Sequence, residues 1–221
     1  NVLMRHARNE KREEKAKELY SASEKISGMA KQLSYCSDVD SMRGIEGATA
    51  TVYFSQFDTM LQTKNDFQFV SRSRRPPRNE VNAVLSFVYT QLTHEVRSAL
   101  ESVGLDPAAG YLHTLRPGRQ SFALDMMEEL RAPLCDRFVL SLMNKGQLNQ
   151  KDFDCEGEAV YLNEKGRRIV LNGWRQRKQE TIVHSFLKEK ISIGLIPYTQ
   201  AMLFARVLRG DLDRYPPFVW R

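Results

Sequence analysis

Long apolar runs are missing from this chain. No stretch nears the ~18 uninterrupted apolar residues needed to cross a bilayer, and no charged-then-apolar export signal is present. Cysteine is scarce: Cys36, Cys135 and Cys155 are odd in number, far apart and free of any CxxC pattern. That suggests neither a disulfide framework nor a thiolate zinc site, and the expected setting is reducing and cytoplasmic. Internal repeats and low-complexity tracts are also lacking, so neither a solenoid nor a disordered tail is predicted. Alternating β patterning is confined to one short region, which leaves helices to build the core.

What is there fits a globular chain. Hydrophobic residues make up 42% of 221 positions, enough for one large domain or two small ones. The formal charge of +6, from 33 Lys+Arg against 27 Asp+Glu, favours a polyanionic partner, because arrayed cations release counterions from a phosphate backbone. The first residue, Asn1, is not an initiator methionine, and Arg5 to Lys17 reads as a charged helix already under way. A segment upstream is therefore expected.

Helical spacing of Leu19, Ile26, Met29, Ala30 and Leu33 carries that first helix to about Tyr35. A second is predicted from Asp40 to Leu61, with Met42, Thr49, Ala50, Tyr53, Phe57 and Leu61 on one stripe and Glu46 among them. Ser71 to Asn79 holds Arg72, Arg74, Arg75 and Arg78 around Pro76-Pro77, an extended basic loop suited to phosphate contact or to plain solvation. Val81 to Val103 keeps a 3.6-residue period that Gly104 and Pro107 end. Ser121 is a candidate N-cap for a helix bearing Asp125 and Glu128, which Pro133 should bend or restart. Val160, Leu162, Ile169 and Leu171 flank Asn163-Glu164-Lys165-Gly166 and predict a short hairpin with Gly166 in its turn. Two further helices are expected, from about Lys178 to Ile191 and from about Pro197 to Leu208.

Asp125 and Glu128, three apart on a helix, share one face, and a hard divalent cation would relieve their repulsion. His113, just upstream across the Arg116-Pro117-Gly118-Arg119 turn, could add a nitrogen ligand, which shifts preference towards Mn²⁺. Glu46 lies on an otherwise apolar stripe, where an unpaired buried carboxylate would be costly, and Gly44 and Gly47 flank it. Each residue also has a plain reading. Acidic i,i+3 pairs are common on solvated helices, a histidine after Tyr111-Leu112 can be a hydrogen-bonded core residue, and Glu46 can pair with Arg43. Spacing alone leaves both readings open.

Six blocks occur in order: Arg43-Gly44-Ile45-Glu46-Gly47; Arg74-Arg75-Pro76-Pro77; Asn82-Ala83; Gly104-Leu105-Asp106-Pro107; Gly110-Tyr111-Leu112-His113; and Ser121-Phe122-Ala123-Leu124-Asp125-Met126-Met127-Glu128. Together they resemble the CRISPR-associated endonuclease and integrase family Cas1. The closing Tyr215-Pro216-Pro217-Phe218-Val219-Trp220 resembles members from I-C type systems. The resemblance implies that Glu46, His113 and Glu128 ligate a catalytic Mn²⁺ or Mg²⁺, with Asp125 supporting the site. Glu128 departs from the aspartate often found there, which changes ligand reach.

The resemblance also implies an all-α catalytic domain, here residues 1–221, preceded by a β-rich dimerisation domain that is expected to be missing from this chain. Its implied role is spacer acquisition in antiviral defence: a 3′-hydroxyl of an incoming DNA fragment attacks a phosphodiester at the edge of a CRISPR repeat. Arg72, Arg74, Arg75, Arg78, Arg116 and Arg119 would hold the DNA backbone. Implied partners are double-stranded DNA, a second copy in the full-length family, the small protein Cas2 and, in I-C systems, the iron–sulfur nuclease Cas4. Tyr89 matches a family tyrosine near the active site and equally fits a helix-face aromatic. The competing reading is a non-catalytic DNA-binding scaffold subunit, which metal dependence would separate from an enzyme.

Overall fold

The computed structural model describes residues 2–62 and 67–220. The fold is mainly α-helical, as expected, with two small antiparallel two-stranded sheets among the described residues. The chain divides into two compact units. Unit 1 comprises residues 1–83 and 140–163, and unit 2 comprises 84–139 and 164–221.

Unit 1 opens with α1 (Val2–Asn9) and α2 (Glu13–Gln32), not with one continuous helix. The Glu10 carboxylate explains the break. It accepts the Arg12 backbone N–H at 3.0 Å and the Gln62 amide at 3.1 Å, a local capture that competes with the helical ladder. The next helix, α3 (Val39–Ser55), is capped by Asp38, whose side chain accepts the Ser41 N–H at 2.7 Å. It ends before the single turn α4 (Phe57–Met60), so the predicted helix to Leu61 is two pieces. Phe57 is fully buried, and its ring lies 4.9 Å from that of Phe69.

The predicted hairpin is displaced by one strand. Val160 and Leu162 do form a strand, β2 (Ala159–Leu162), but its partner is the upstream β1 (Phe153–Glu156), with Phe153 opposite Leu162. The turn uses Gly157 at φ 60°, a left-handed conformation that suits glycine. Ile169 and Leu171 belong to α8 (Glu164–Gln179), and Gly166 sits in its first turn. Both segments are apolar at every second position, but Glu164 to Gln179 also repeats at helical spacing through Gly166, Val170 and Trp174, all buried.

In unit 2, α5 (Glu80–Ser102) buries Val84, Leu85, Val88, Leu92, Val96 and Ala99, the stripe the 3.6-residue period predicts, and Leu100 beside it. The helix α6 (Ser121–Leu130) buries Phe122, Ala123, Met126, Met127 and Leu130. It runs into a π-helical turn, Arg131–Asp136, and then α7 (Arg137–Asn144). Pro133 gives the cause: it has no N–H for the α-ladder, and the wider turn closes with Arg137 N–H on the Ala132 carbonyl. The expected helix from Lys178 to Ile191 does not form. Those residues make the end of α8 and a hairpin, β3 (Thr181–Val183) with β4 (Lys190–Ser192), before α9 (Ile196–Leu208). The β-branched run Thr181-Ile182-Val183 prefers that extended state.

Candidate metal and DNA site

The loop between α5 and α6 explains three of the sequence blocks at once. Asp106 accepts the Ala108 N–H at 2.8 Å, and the Pro107 carbonyl accepts the Phe122 and Ala123 N–H groups at 2.9 and 3.1 Å. Those donors would otherwise be orphans at the start of α6. Ser121 is therefore not the N-cap; Gln120 holds that place, and the Ser121 hydroxyl donates to the Thr114 carbonyl at 3.0 Å. The chain crosses α6 at Gly110. A Cβ there would lie 2.5 Å from Ser121 Cβ, so only glycine fits without a shift.

Past that crossing the loop wraps one carboxylate. Asp125 accepts backbone N–H groups from Tyr111 (2.5 Å), Leu112 (2.9 Å) and His113 (2.8 Å), and its Oδ1 lies 2.7 Å from His113 Nδ1. A carboxylate that takes three amide donors acts as an acceptor, so Nδ1 is the protonated nitrogen facing it and Nε2 is the ring nitrogen not engaged by Asp125. This is how histidines that bind metals are oriented by a supporting carboxylate. Asp125 thus orients both the His113 ring and the loop that carries it.

Glu128, one turn along α6, has both carboxylate oxygens within 2.6 and 2.7 Å of Arg131 Nη1. The Arg131 guanidinium lies 4.6 Å from the centre of the Tyr89 ring, and the Tyr89 hydroxyl donates to Asp136 Oδ1 at 2.5 Å. Burial first, and then the Asp136 charge, push the Tyr89 hydroxyl well above its ordinary range. Burial works against the Arg131 charge, but Glu128 and its neighbours more than restore it, so this guanidinium stays protonated. The sequence reading missed Arg131 and Asp136. The available signal was an arginine three residues after Glu128, a spacing that allows an ion pair on one helix face.

Glu46 belongs to unit 1, where it is exposed on α3 rather than buried on an apolar stripe. Met42, Ala50 and Tyr53 are only partly buried, so no desolvation cost arises. Arg43 pairs with Asp40 at 2.5 Å. A Cβ at Gly44 or Gly47 would meet nothing within 4 Å, so packing inside the described chain does not account for two residues that each weaken a helix by ~1 kcal/mol. Among the described residues, no group of three or more His, Cys, Asp or Glu side chains is arranged to hold a metal ion. The donor types still suit one: His113 Nε2 is left open by its Asp125 bond, and carboxylate oxygens with one imidazole match a hard divalent cation.

The basic loop is ordered by Asn82, which is fully buried. Asn82 donates to the Ser71 carbonyl at 2.8 Å and accepts from Ser73 N–H at 3.1 Å and Arg72 Nη1 at 2.8 Å. Arg72 is thereby built into the loop itself. Arg78 forms an exposed pair with Glu158 at 3.5 Å, while Arg74 and Arg75 face solvent. Arg119 Nη1 donates to the Thr114 carbonyl at 3.4 Å, and Arg116 is exposed.

A separate polar cluster holds the C-terminal segment. Glu129 accepts from the Tyr215 hydroxyl, from Gln200 Nε2 at 3.1 Å and from Phe218 N–H at 2.7 Å. Gln200 Oε1 lies 3.0 Å from Nε2 of the fully buried His184. Burial raises the Glu129 carboxyl despite these donors.

The chain is thus a mainly helical protein in which a loop fastens a histidine to an aspartate, with a second carboxylate one turn away and an exposed arginine pair elsewhere. The family model described as CRISPR associated protein Cas1 matches residues 1–176, and the chain belongs to that family. A CRISPR-associated endonuclease Cas1 from Chlorobaculum tepidum is 50% identical over 222 residues, covering 100% of this chain and 65% of the relative. The chain thus spans just under two-thirds of that relative's length. Among solved structures, a Cas1 protein from Thermotoga maritima superposes with a TM-score of 0.76 at 28% identity, over 96% of this chain and 66% of that one. A Cas6-RT-Cas1–Cas2 complex gives 0.80 at 25% identity, over 99% of this chain and 24% of that one.

Proposed function

We propose that this chain is the helical catalytic part of a metal-dependent DNA endonuclease and integrase that inserts spacer DNA into a CRISPR array. The single observation that carries the reading is the Asp125 clamp, which engages His113 through Nδ1 and leaves Nε2 as the ring nitrogen available to a metal. Glu46, His113 and Glu128 would hold Mn²⁺ or Mg²⁺. Bound there, the ion would supply Lewis-acid stabilisation of charge developing on the scissile phosphate.

The chain's own residues have separable tasks. Asp125 holds the imidazole ring and its loop in one orientation. Arg74 and Arg75, with Arg116 and Arg119 after His113, neutralise backbone phosphates and align the strands, which raises affinity without reading sequence. Arg72 and Arg78 shape the basic loop and contribute charge to it. A 3′-hydroxyl placed at the scissile phosphate gives strand transfer, and water in the same place gives nuclease activity.

The partners are double-stranded DNA, a second copy of the full-length protein, Cas2 and, by the I-C resemblance, Cas4. The similarity to a Cas1 inside a complex with Cas2 supports Cas2 as a partner. A strand-transfer assay with Mn²⁺ tests the reading. Replacing Glu46, His113 or Glu128 by alanine should abolish product while DNA binding persists; full activity in any one variant removes that residue from the ligand set.

A further inference from the structure

Arg131 occupies a carboxylate that the proposed function needs elsewhere. Its Nη1 contacts both oxygens of Glu128, and the side chains of the pair are only 15% and 27% exposed. A guanidinium on both oxygens neutralises the carboxylate and competes with a divalent cation for it. A second carboxylate, Asp136, acts electrostatically on the same guanidinium. Asp136 is 2% exposed and holds the Tyr89 hydroxyl on Oδ1, while the Tyr89 ring lies beneath Arg131. In an α-helix, residues five apart point roughly 140° away from each other. The π-helical turn from Arg131 to Asp136 widens the helix here and brings the two towards one face.

We propose that Arg131 is an internal stand-in cation that holds Glu128 until a divalent ion displaces it, whereupon the guanidinium turns to Asp136. The inference rests on the reading of Glu128 as a metal ligand. It makes Arg131 a positioning residue: it keeps Glu128 compensated and oriented before the metal arrives, and its own charge sets the threshold for metal uptake. The Tyr89 ring is the pivot, because a flat guanidinium can slide over an aromatic face and remain stacked on it.

The test is Mn²⁺ titration followed by the electron paramagnetic resonance of the free ion, on the wild-type protein, Arg131→Gln, Glu128→Ala and the double variant. Arg131→Gln should bind Mn²⁺ roughly tenfold more tightly, within the ~5–150-fold span of ordinary coupling between sites. The gain should vanish when Glu128 is already alanine. Equal or weaker binding by Arg131→Gln overturns the proposal, while an absence of Mn²⁺ binding in wild type and Arg131→Gln alike overturns the metal reading itself. A second measurement needs no variant. In ¹⁵N-arginine NMR of the wild-type protein, the hindered rotation of the Arg131 Nη groups should change when Mg²⁺ is added, and a signal indifferent to saturating Mg²⁺ contradicts displacement.

Discussion

His113 Nδ1 and Asp125 Oδ1 lie 2.7 Å apart, and the same carboxylate gathers the backbone N–H groups of residues 111 to 113. One side chain on α6 thus fixes both a ring and the loop that carries it. Asp125→Ala would remove the acceptor shared by the three backbone N–H groups of residues 111 to 113. Denaturant melts should show a loss of about 3 kcal/mol, because bonds to a charged acceptor are worth ~1.5–3 kcal/mol each and do not add fully. A loss below ~1 kcal/mol would mean that water satisfies the loop as well as Asp125 does.

Gly110 supplies an independent check on the same crossing. Alanine there would place its Cβ 2.5 Å from Ser121 Cβ and 2.7 Å from the Ser121 carbonyl carbon. Because backbone as well as side chain must move, Gly110→Ala should cost ~1–3 kcal/mol, readable by thermal melting. Its strand-transfer activity should fall further than its stability, since the shift propagates directly to His113.

The basic loop makes a prediction that separates its arginines. Charge reversal at Arg74 and Arg75 should weaken DNA binding and reduce the slope of log K against log salt by roughly 0.9 for each phosphate that is no longer neutralised. Arg72→Ala should instead loosen the loop, since Arg72 donates to Asn82 and to the Ser73 carbonyl. Salt titration of binding by fluorescence anisotropy distinguishes the two effects; an unchanged slope after double reversal would reduce the loop to a connector.

Glu129 gives a pH dependence with a definite sign. Burial raises its carboxyl above the ordinary value, so the folded state holds a proton that the unfolded chain has released. This contribution is fully present at pH values below the ordinary carboxyl range and is lost as pH rises through the raised folded value. Glu129→Gln should flatten that decline in melts taken across the range. A wild-type profile no steeper than that of the variant would contradict the assignment.

Much of this was legible beforehand where one physical rule governed. The 3.6-residue stripe of α5 and the basic loop around Pro76-Pro77 stand where expected, because periodicity and missing proline donors act locally. The hairpin at Val160–Leu162 was half legible: the β2 residues were right, but alternation could not tell the upstream partner from the downstream helix. The helix predicted after Lys178 failed because pairing with β4 outweighed local pattern. At the site, residue types were readable, yet exposure and partners were not. Nothing in the spacing says that Glu46 faces solvent, that Arg131 takes both oxygens of Glu128, or that three amides converge on Asp125. The three amides reach Asp125 from 12 to 14 residues away through the folded loop, and although the i,i+3 spacing allows an Arg131–Glu128 pair, spacing alone does not choose it over solvation.

Anomalous diffraction from Mn²⁺-soaked crystals addresses the metal assignment most directly. The expected result is a manganese peak bonded by Glu46, by His113 through Nε2 and by Glu128, with Arg131 withdrawn from the carboxylate. A peak on other side chains, or none at saturating Mn²⁺, would contradict it.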